Sequence, residues 1–168
     1  MAADAFTKGK YALAAKKVEE GLAETAKRKS ATLPLDGTEE RDAKTVTGGI
    51  GAMAEIRLAL AAKLERDRWS IDAEEMYVAM QSGFAGTAWE EKAKEALDRM
   101  AQDKRAQYEI AGMKKVREIL STLRPLTRKS LERAIAAFDD LLVLYEGSVT
   151  GDRAKAQQDR LKKLLEKP

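Results

Sequence analysis

The chain has neither cysteine nor histidine among its 168 residues. Without cysteine there is no disulfide, no nucleophilic thiolate and no thiolate-bound metal. Without histidine there is no imidazole acid or base near neutral pH, no Ser-His-Asp triad and no histidine-ligated zinc. Two large groups of enzyme mechanism are therefore excluded. A cysteine-free chain suits the cytoplasm and the periplasm equally, so the compartment stays open.

Aromatic residues make up only 5% of the chain, and β-branched residues are too scattered to alternate as they do in strands. Hydrophobic residues make up 44% of the chain, and they are mainly Ala and Leu, which favour helices. A chain of this length is able to bury a core of its own. We therefore expect an all-α fold and a single domain over residues 1–168.

The sequence also has no long apolar run and no strong excess of one charge. Its 31 basic and 28 acidic residues are interspersed, as on solvated helix faces. No segment approaches the ~20 apolar residues that cross a bilayer, so we predict no membrane span. Met1–Asp4 has neither the basic n-region nor the apolar h-region of a secretory signal. We expect either a cytosolic protein or a mature or excised piece.

What the chain does contain is a pattern repeated at a fixed distance. Phe84–Thr87 and Tyr145–Ser148 both follow the order aromatic-x-Gly-Ser/Thr, and they begin 61 positions apart (84 and 145). The same shift pairs similar residues on either side: Ala73 with Ala134, Tyr77 with Phe138, Met80 with Leu141, Ala93 with Ala154 and Met100 with Leu161. Duplicated helix–turn–helix units bury their apolar faces on each other, so we predict a helical-repeat array.

Apolar residues at three- and four-residue spacing predict seven or eight helices. A short helix stops at Gly9, a turn is predicted at Leu33–Gly37, and a break is predicted near Gln102–Asp103. Pro125 ends the helix before it. Related units are predicted near 11–66, 69–104 and 127–166.

Three glycines within Gly48–Gly51 interrupt a stripe that otherwise continues from Ala43 to Leu64. Each costs roughly 1 kcal/mol in a helix relative to Ala. The continuous stripe nevertheless predicts one long helix over about 38–66, with a loop at 45–51 as the alternative. No Gly-Lys-Ser/Thr follows, which disfavours a phosphate loop. We expect instead that the glycines let two helix backbones pack closely.

Several of these patterns resemble a known family. Gly9–Tyr11 leading to Ala15, and the turn Tyr145–Ser148 followed by Ala154 and Arg160-Leu161, resemble tetratricopeptide-like repeats of bacterial envelope proteins. With Phe84–Thr87 included, the arrangement is similar to the helical tails of bacterial thioredoxin-like proteins.

The resemblance implies a tetratricopeptide-like right-handed array of antiparallel helical hairpins. This chain has Ala85 and Glu146 where proline is usual in the turns, and a spacing well above the ~34 residues of a standard unit. The resemblance transfers no functional residue. The redox activity of a thioredoxin-like relative does not carry over, because the chain has no cysteine pair.

Candidate catalytic groups are few. Adjacent acids in a helix point about 100° apart, so such pairs do not converge by themselves. A di-iron bundle would need Glu-x-x-His, and no Ser-x-x-Lys motif is present. Ser130 is expected near the start of the seventh helix. We predict no catalytic, cofactor-binding or metal residues, and we expect solvated faces for the acid pairs Glu19-Glu20, Glu74-Glu75, Glu90-Glu91 and Asp139-Asp140.

Trp69 and Trp89 are the candidate partner-binding residues, because tryptophan is enriched among interface anchors. Packing as wedges between helices is the main interpretation of both, with recognition as the alternative. Nucleic acid is a disfavoured partner because the basic clusters are short, lie on different elements and lack interleaved aromatics: Lys27–Lys29, Lys104-Arg105 and Lys114-Lys115.

The leading hypothesis is a non-catalytic module that binds or scaffolds a protein or peptide, as an appendage of a larger bacterial envelope or redox protein. The alternative is a weakly basic helical protein that binds nucleic acid or an anionic ligand, which predicts one contiguous positive face. An enzyme that uses only carboxylates and lysine would require two or more acids converging in a pocket. The sequence sets neither the partner's identity nor the oligomeric state.

Overall fold

A computed structural model of the chain describes residues 2–29 and 38–166, and these form eight helices. The described residues contain no strand, so the prediction of an all-α fold with seven or eight helices is confirmed. The predicted turn at Leu33–Gly37 lies outside the described residues. The helices are α1 Ala2–Thr7, α2 Tyr11–Lys29, α3 Thr38–Arg66, α4 Ser70–Gly83, α5 Ala88–Gln102, α6 Lys104–Ser121, α7 Arg128–Leu144 and α8 Val149–Leu165.

Helix α3 is continuous, so the prediction of one long helix over 38–66 is confirmed and the alternative of a loop at 45–51 is wrong. The expected role of its glycines is also wrong. A Cβ at Gly48 or Gly49 would have nothing within 4 Å, and a Cβ at Gly51 would lie 3.4 Å from the Trp89 ring. Two of these glycines therefore face open space, and the third leaves room for an indole rather than for a second helix backbone.

The two aromatic-x-Gly-Ser/Thr turns, 84–87 and 145–148, have the same geometry. The glycine has a positive φ of 79° in the first turn and 69° in the second. In each turn the hydroxyl of the fourth residue donates to the carbonyl of the aromatic residue, at 2.6 and 2.7 Å. The same hydroxyl accepts the N–H three residues further on, at 3.4 and 2.9 Å, and so caps the next helix.

Residues related by the shift of 61 are also buried alike. Each of the following is at most 5% exposed: Ala73 and Ala134, Tyr77 and Phe138, Met80 and Leu141, Phe84 and Tyr145, Ala93 and Ala154, Met100 and Leu161. The relation extends to the preceding helices. Gly51 faces Trp89, and Gly112 faces Thr150. Gly51 and Gly112 are 61 positions apart, and so are Trp89 and Thr150.

Contacts along the chain define two compact units. Unit 1 comprises the described residues of Met1–Lys63 and Asp72–Arg99, and unit 2 those of Leu64–Ile71 and Met100–Pro168. In unit 1, α1 packs against α2, and in unit 2, α6, α7 and α8 pack against one another. The expectation of a single domain concerns how the two units are arranged and stays a prediction.

The core of unit 2 is a cluster of apolar side chains from α6, α7 and α8, with Phe138 fully buried within it. Helix α7 is fixed at its start by a capping box between Thr127 and Ser130, which places Ser130 where the sequence predicted it. Gln158 is also buried, and its amide donates to the carbonyl of Ile135 at 3.0 Å and to Asp139 at 2.6 Å.

A buried carboxylate joins α6 to the first turn of α8. Glu109 is 3% exposed, and its two oxygens accept the backbone N–H groups of Val149 at 3.3 Å and Thr150 at 2.9 Å. The Thr150 hydroxyl donates in return to the Glu109 carbonyl at 3.1 Å. An acceptor at this position satisfies N–H groups that have no partner within the helix, and its charge lies at the positive end of the α8 dipole.

Replacing Gly112 with alanine is expected to destabilise unit 2. The new Cβ would lie 2.5 Å from the Tyr145 ring and 2.6 Å from the Thr150 methyl, and both of these side chains are buried. Overpacking of this kind costs about 1–3 kcal/mol. Denaturant unfolding measures the loss. Gly48→Ala is the matched control, and we expect it to stabilise the helix by roughly 1 kcal/mol because its Cβ meets open space. A Gly112→Ala variant as stable as the parent would contradict the packing.

Glu109→Gln is expected to lower the free energy of unfolding by about 1–3 kcal/mol, because an amide offers one acceptor oxygen where two N–H groups need partners. The exposed Glu118 on the same helix provides the control, and Glu118→Gln is expected to change stability by less than about 0.5 kcal/mol. Equal effects from the two substitutions would show that Glu109 does not hold α8.

Candidate functional site

A groove of about 670 Å³ lies in unit 1. One side is formed by the start of α2, and the other by residues 82–89, which run from the end of α4 through the turn 84–87 to the start of α5. We call this groove the unit 1 groove. Its lining is mostly small or apolar, with Ala12, Leu13, Ala15, Gly83, Ala85, Gly86 and Trp89. The charged lining residues are Lys10, Lys16 and Glu19. Hydroxyl residues complete the lining: Thr47, Ser82 and Thr87. A concave surface that combines apolar residues with polar groups is the usual chemistry of a binding site.

Four aromatic rings form a row in unit 1 that ends at the groove. Phe6 meets Tyr11 edge-to-face at 5.4 Å, and Tyr11 stacks on Phe84 at 5.1 Å. Phe84 then meets Trp89 edge-to-face at 5.8 Å. Because Phe84 is fully buried, the row connects Trp89 to the interior of the unit.

A close approach between Gly83 and the start of α2 sets one end of the groove. A Cβ at Gly83 would lie 2.7 Å from the Gly9 carbonyl oxygen and 3.3 Å from the Tyr11 ring. Arg57 holds Tyr11 from α3, because its guanidinium lies 4.9 Å from the ring centre and donates to the Tyr11 hydroxyl at 3.0 Å. The start of α2 is therefore fixed by contacts with both α3 and α4.

Trp89 is half-buried and its indole N–H donates to the Glu55 carboxylate at 2.7 Å. The Lys92 ammonium lies 3.5 Å from the same carboxylate oxygen. The hydrogen bond from Trp89, followed by the charge of Lys92, lowers the pKa of Glu55 below its ordinary value. The indole is thus held in place by Glu55 at its N–H and by the contact of its ring with Phe84.

The structure places the two predicted partner-binding tryptophans in different units. Trp89 belongs to unit 1 and lines the groove, where its contact with Phe84 fits a wedge between helices. Trp69 belongs to unit 2 and is 45% exposed, which does not fit a buried wedge. Its ring is covered on one face by the Arg153 guanidinium, 3.9 Å from the ring centre, in a cation–π contact.

The acid pairs lie on helix surfaces, with at least one exposed member in each. Several members have structural partners: Glu20 lies 3.7 Å from Lys16, and Glu90 accepts the N–H of Gly86 at 2.5 Å. Within residues 2–29 and 38–166, no three acidic side chains are placed so that they could hold a metal ion.

The predicted basic clusters are dispersed. Lys104-Arg105 and Lys114-Lys115 are exposed at different positions along α6. The side chains of Lys27–Lys29 lie outside the described residues. Among the helices that the structure describes, none has the length and hydrophobicity required to cross a membrane.

No protein-family model matches this chain, and no curated protein or solved structure is significantly similar to it. The all-helical fold agrees with the predicted class of helical repeats. The comparisons add nothing in favour of a tetratricopeptide or thioredoxin-like relationship.

Sequence reasoning did not identify two important parts of the groove. Leu13 is 40% exposed, and it stands outside the apolar stripe of α2 that begins at Tyr11 and Ala15. An apolar residue off the stripe was the available signal. The role of Gly83 had no comparable signal, because it depends on the Gly9 carbonyl, which is distant in sequence.

The hydrogen bond between Trp89 and Glu55 predicts a pH-dependent fluorescence change. In a Trp69→Phe background, Trp89 emission should change at a midpoint below the ordinary glutamate pKa, and Glu55→Gln should abolish this transition. Because the pKa of Glu55 is lower in the folded state, its stabilisation is present above the unfolded-state pKa and is lost as the pH falls through the folded-state value. An unchanged transition in Glu55→Gln would exclude Glu55 as its source.

Proposed function

We propose that the chain is a non-catalytic helical-repeat module that binds a protein segment or peptide in the unit 1 groove. The observation that carries the proposal is an apolar groove of about 670 Å³ with a fixed tryptophan in its wall. Tryptophans in such positions are frequent binding anchors, because they supply a large contact area together with a polar edge.

Repetition of the local structure supports a tetratricopeptide-like array. The two turns, 84–87 and 145–148, are 61 positions apart and share three features. Each has a glycine with positive φ, the same hydroxyl-to-carbonyl hydrogen bond and the same capping contact. Stacked units of this type leave concave surfaces that hold partners without covalent chemistry. We extend the proposal to a role as an appendage of a larger bacterial envelope or redox protein, which rests on the sequence resemblance.

The lining of the groove indicates what kind of segment would fit. Leu13 is 40% exposed and faces the groove together with Trp89, so an apolar side chain of the partner would cover both. Lys10, Lys16 and Glu19 are the charged residues of the lining, and Glu20 lies 3.7 Å from Lys16. These charges balance, so the apolar anchor is the feature of the segment that the groove would select.

Selection from a random peptide library displayed on phage, with the full chain immobilised, tests the proposal. We expect enrichment of peptides with an apolar anchor, and a loss of affinity of about tenfold or more in Leu13→Glu, because the substitution places a charge where the anchor binds. Fluorescence polarisation with a selected peptide measures the affinity.

Val143→Glu is the matched control, since Val143 is an apolar residue of unit 2 that is 79% exposed and lies outside the groove. It should leave the affinity unchanged. Selected peptides that bind Leu13→Glu as tightly as the parent, or a selection without enrichment, would refute peptide binding in the unit 1 groove.

The second candidate function is the binding of an anionic ligand. A cleft in unit 2 favours it over nucleic-acid binding, because three arginines meet there in a small volume, together with three acids, and do not form an extended basic face.

A further inference from the structure

Three arginines of unit 2 line one small cleft of about 210 Å³. Arg66 is the last residue of α3, Arg68 lies in the connection to α4, and Arg105 lies in the first turn of α6. Ser70, which is 5% exposed, lines the same cleft. The volume is about a third of that of the unit 1 groove, which suits a small anion better than a length of peptide.

Three carboxylates line the cleft as well, but two of them are used by helix N-termini. Asp103 accepts two backbone N–H groups at the start of α6, and Glu109 accepts two at the start of α8, all between 2.8 and 3.3 Å. Each helix end carries the equivalent of about +0.5 charge, which offsets part of the acid's charge. Glu65 is the third carboxylate.

The side chains of the three arginines have no comparable partners among the described residues. None of the three guanidinium groups forms an ion pair or hydrogen bond with another side chain that the structure describes. Arginine is always protonated and keeps its donors in a fixed fork. The three guanidinium groups match the three carboxylates in number, and the two helix ends add about +0.5 each, so the balance of charge around the cleft is about +1.

The backbone conformation of Arg68 also supports a binding role for its side chain. Its φ of 64° lies in the left-handed region, and it is the one non-glycine residue with a positive φ among the described residues. A side chain is disfavoured in this conformation, whereas glycine adopts it readily. An arginine at this position accepts a conformational cost, which is consistent with a use for its guanidinium.

We infer that the cleft binds a phosphate group, either as free phosphate or as the phosphate of a monoester. Guanidinium forks donate parallel hydrogen bonds to phosphate oxygens, and the Ser70 hydroxyl adds a further donor. The inference gives a specific form to the anionic-ligand function. It is independent of peptide binding, because every residue of the cleft belongs to unit 2 and the groove belongs to unit 1.

Titration of the isotopically labelled full chain with inorganic phosphate, followed by amide chemical shifts in NMR spectra, tests the inference. At constant ionic strength we expect saturable shifts at Arg68, Ser70 and Arg105. Arg68→Gly should weaken binding by about tenfold or more, the loss expected for a charge-assisted hydrogen bond. The same substitution should preserve or raise the unfolding temperature, because glycine relieves the backbone, so that lost binding is distinguishable from lost folding.

Arg160→Gln, at an exposed arginine of α8, is the matched control and should bind phosphate like the parent. A parallel titration with O-phosphoserine distinguishes the two sources of the group: tighter binding than inorganic phosphate assigns a monoester, and weaker binding assigns the free ion. Shifts that do not saturate, that chloride reproduces at equal ionic strength, or that persist unchanged in Arg68→Gly would overturn the phosphate site.

Discussion

Each of the two aromatic-x-Gly-Ser/Thr turns ends one helix and caps the next within four residues, and it depends on a glycine with positive φ. A residue with a Cβ would be strained in that conformation. The turn places its aromatic residue, Phe84 or Tyr145, in the interior. It also directs the following hydroxyl back to the aromatic residue's carbonyl. The aromatic row of unit 1 and the contact of Gly112 with Tyr145 in unit 2 both depend on where this one side chain lies.

The repeat fixes the turn but leaves its surroundings free to differ. In unit 1 the residue before the turn is Gly83, and the Gly9 carbonyl occupies the space that a side chain would fill. In unit 2 the corresponding residue is Leu144, which is 59% exposed. The aromatic residue of the turn is covered by Tyr11 from α2 in unit 1 and by Tyr108 from α6 in unit 2. The same position is therefore covered by a ring from a different helix, and in unit 1 a groove lies beside α2.

The helices, the break near Asp103 and the continuity of α3 were predictable, because they follow from spacing and capping residues that are local in sequence. The role of the α3 glycines was not predictable, since absence of a side chain signals open space and close packing equally well. The groove was not predicted. Trp89 was singled out by its residue type alone, and its partner Glu55 lies 34 positions away and has no motif to mark it. The arginine cleft was missed for a similar reason, because Arg105 is separated in sequence from Arg66 and Arg68.

The amino-acid sequence by itself determined that the chain is helical, that it lacks imidazole and thiol chemistry, and that one turn occurs twice. These properties depend on residue type and on spacings of a few residues, or on a comparison of the chain with itself. The tertiary structure alone decided which side chains meet: that Gly83 admits the start of α2, that Glu109 caps α8, and that three arginines share a cleft. Such meetings depend on how helices distant in sequence pack, and periodicity along one helix gives the buried face without naming the neighbour that buries it.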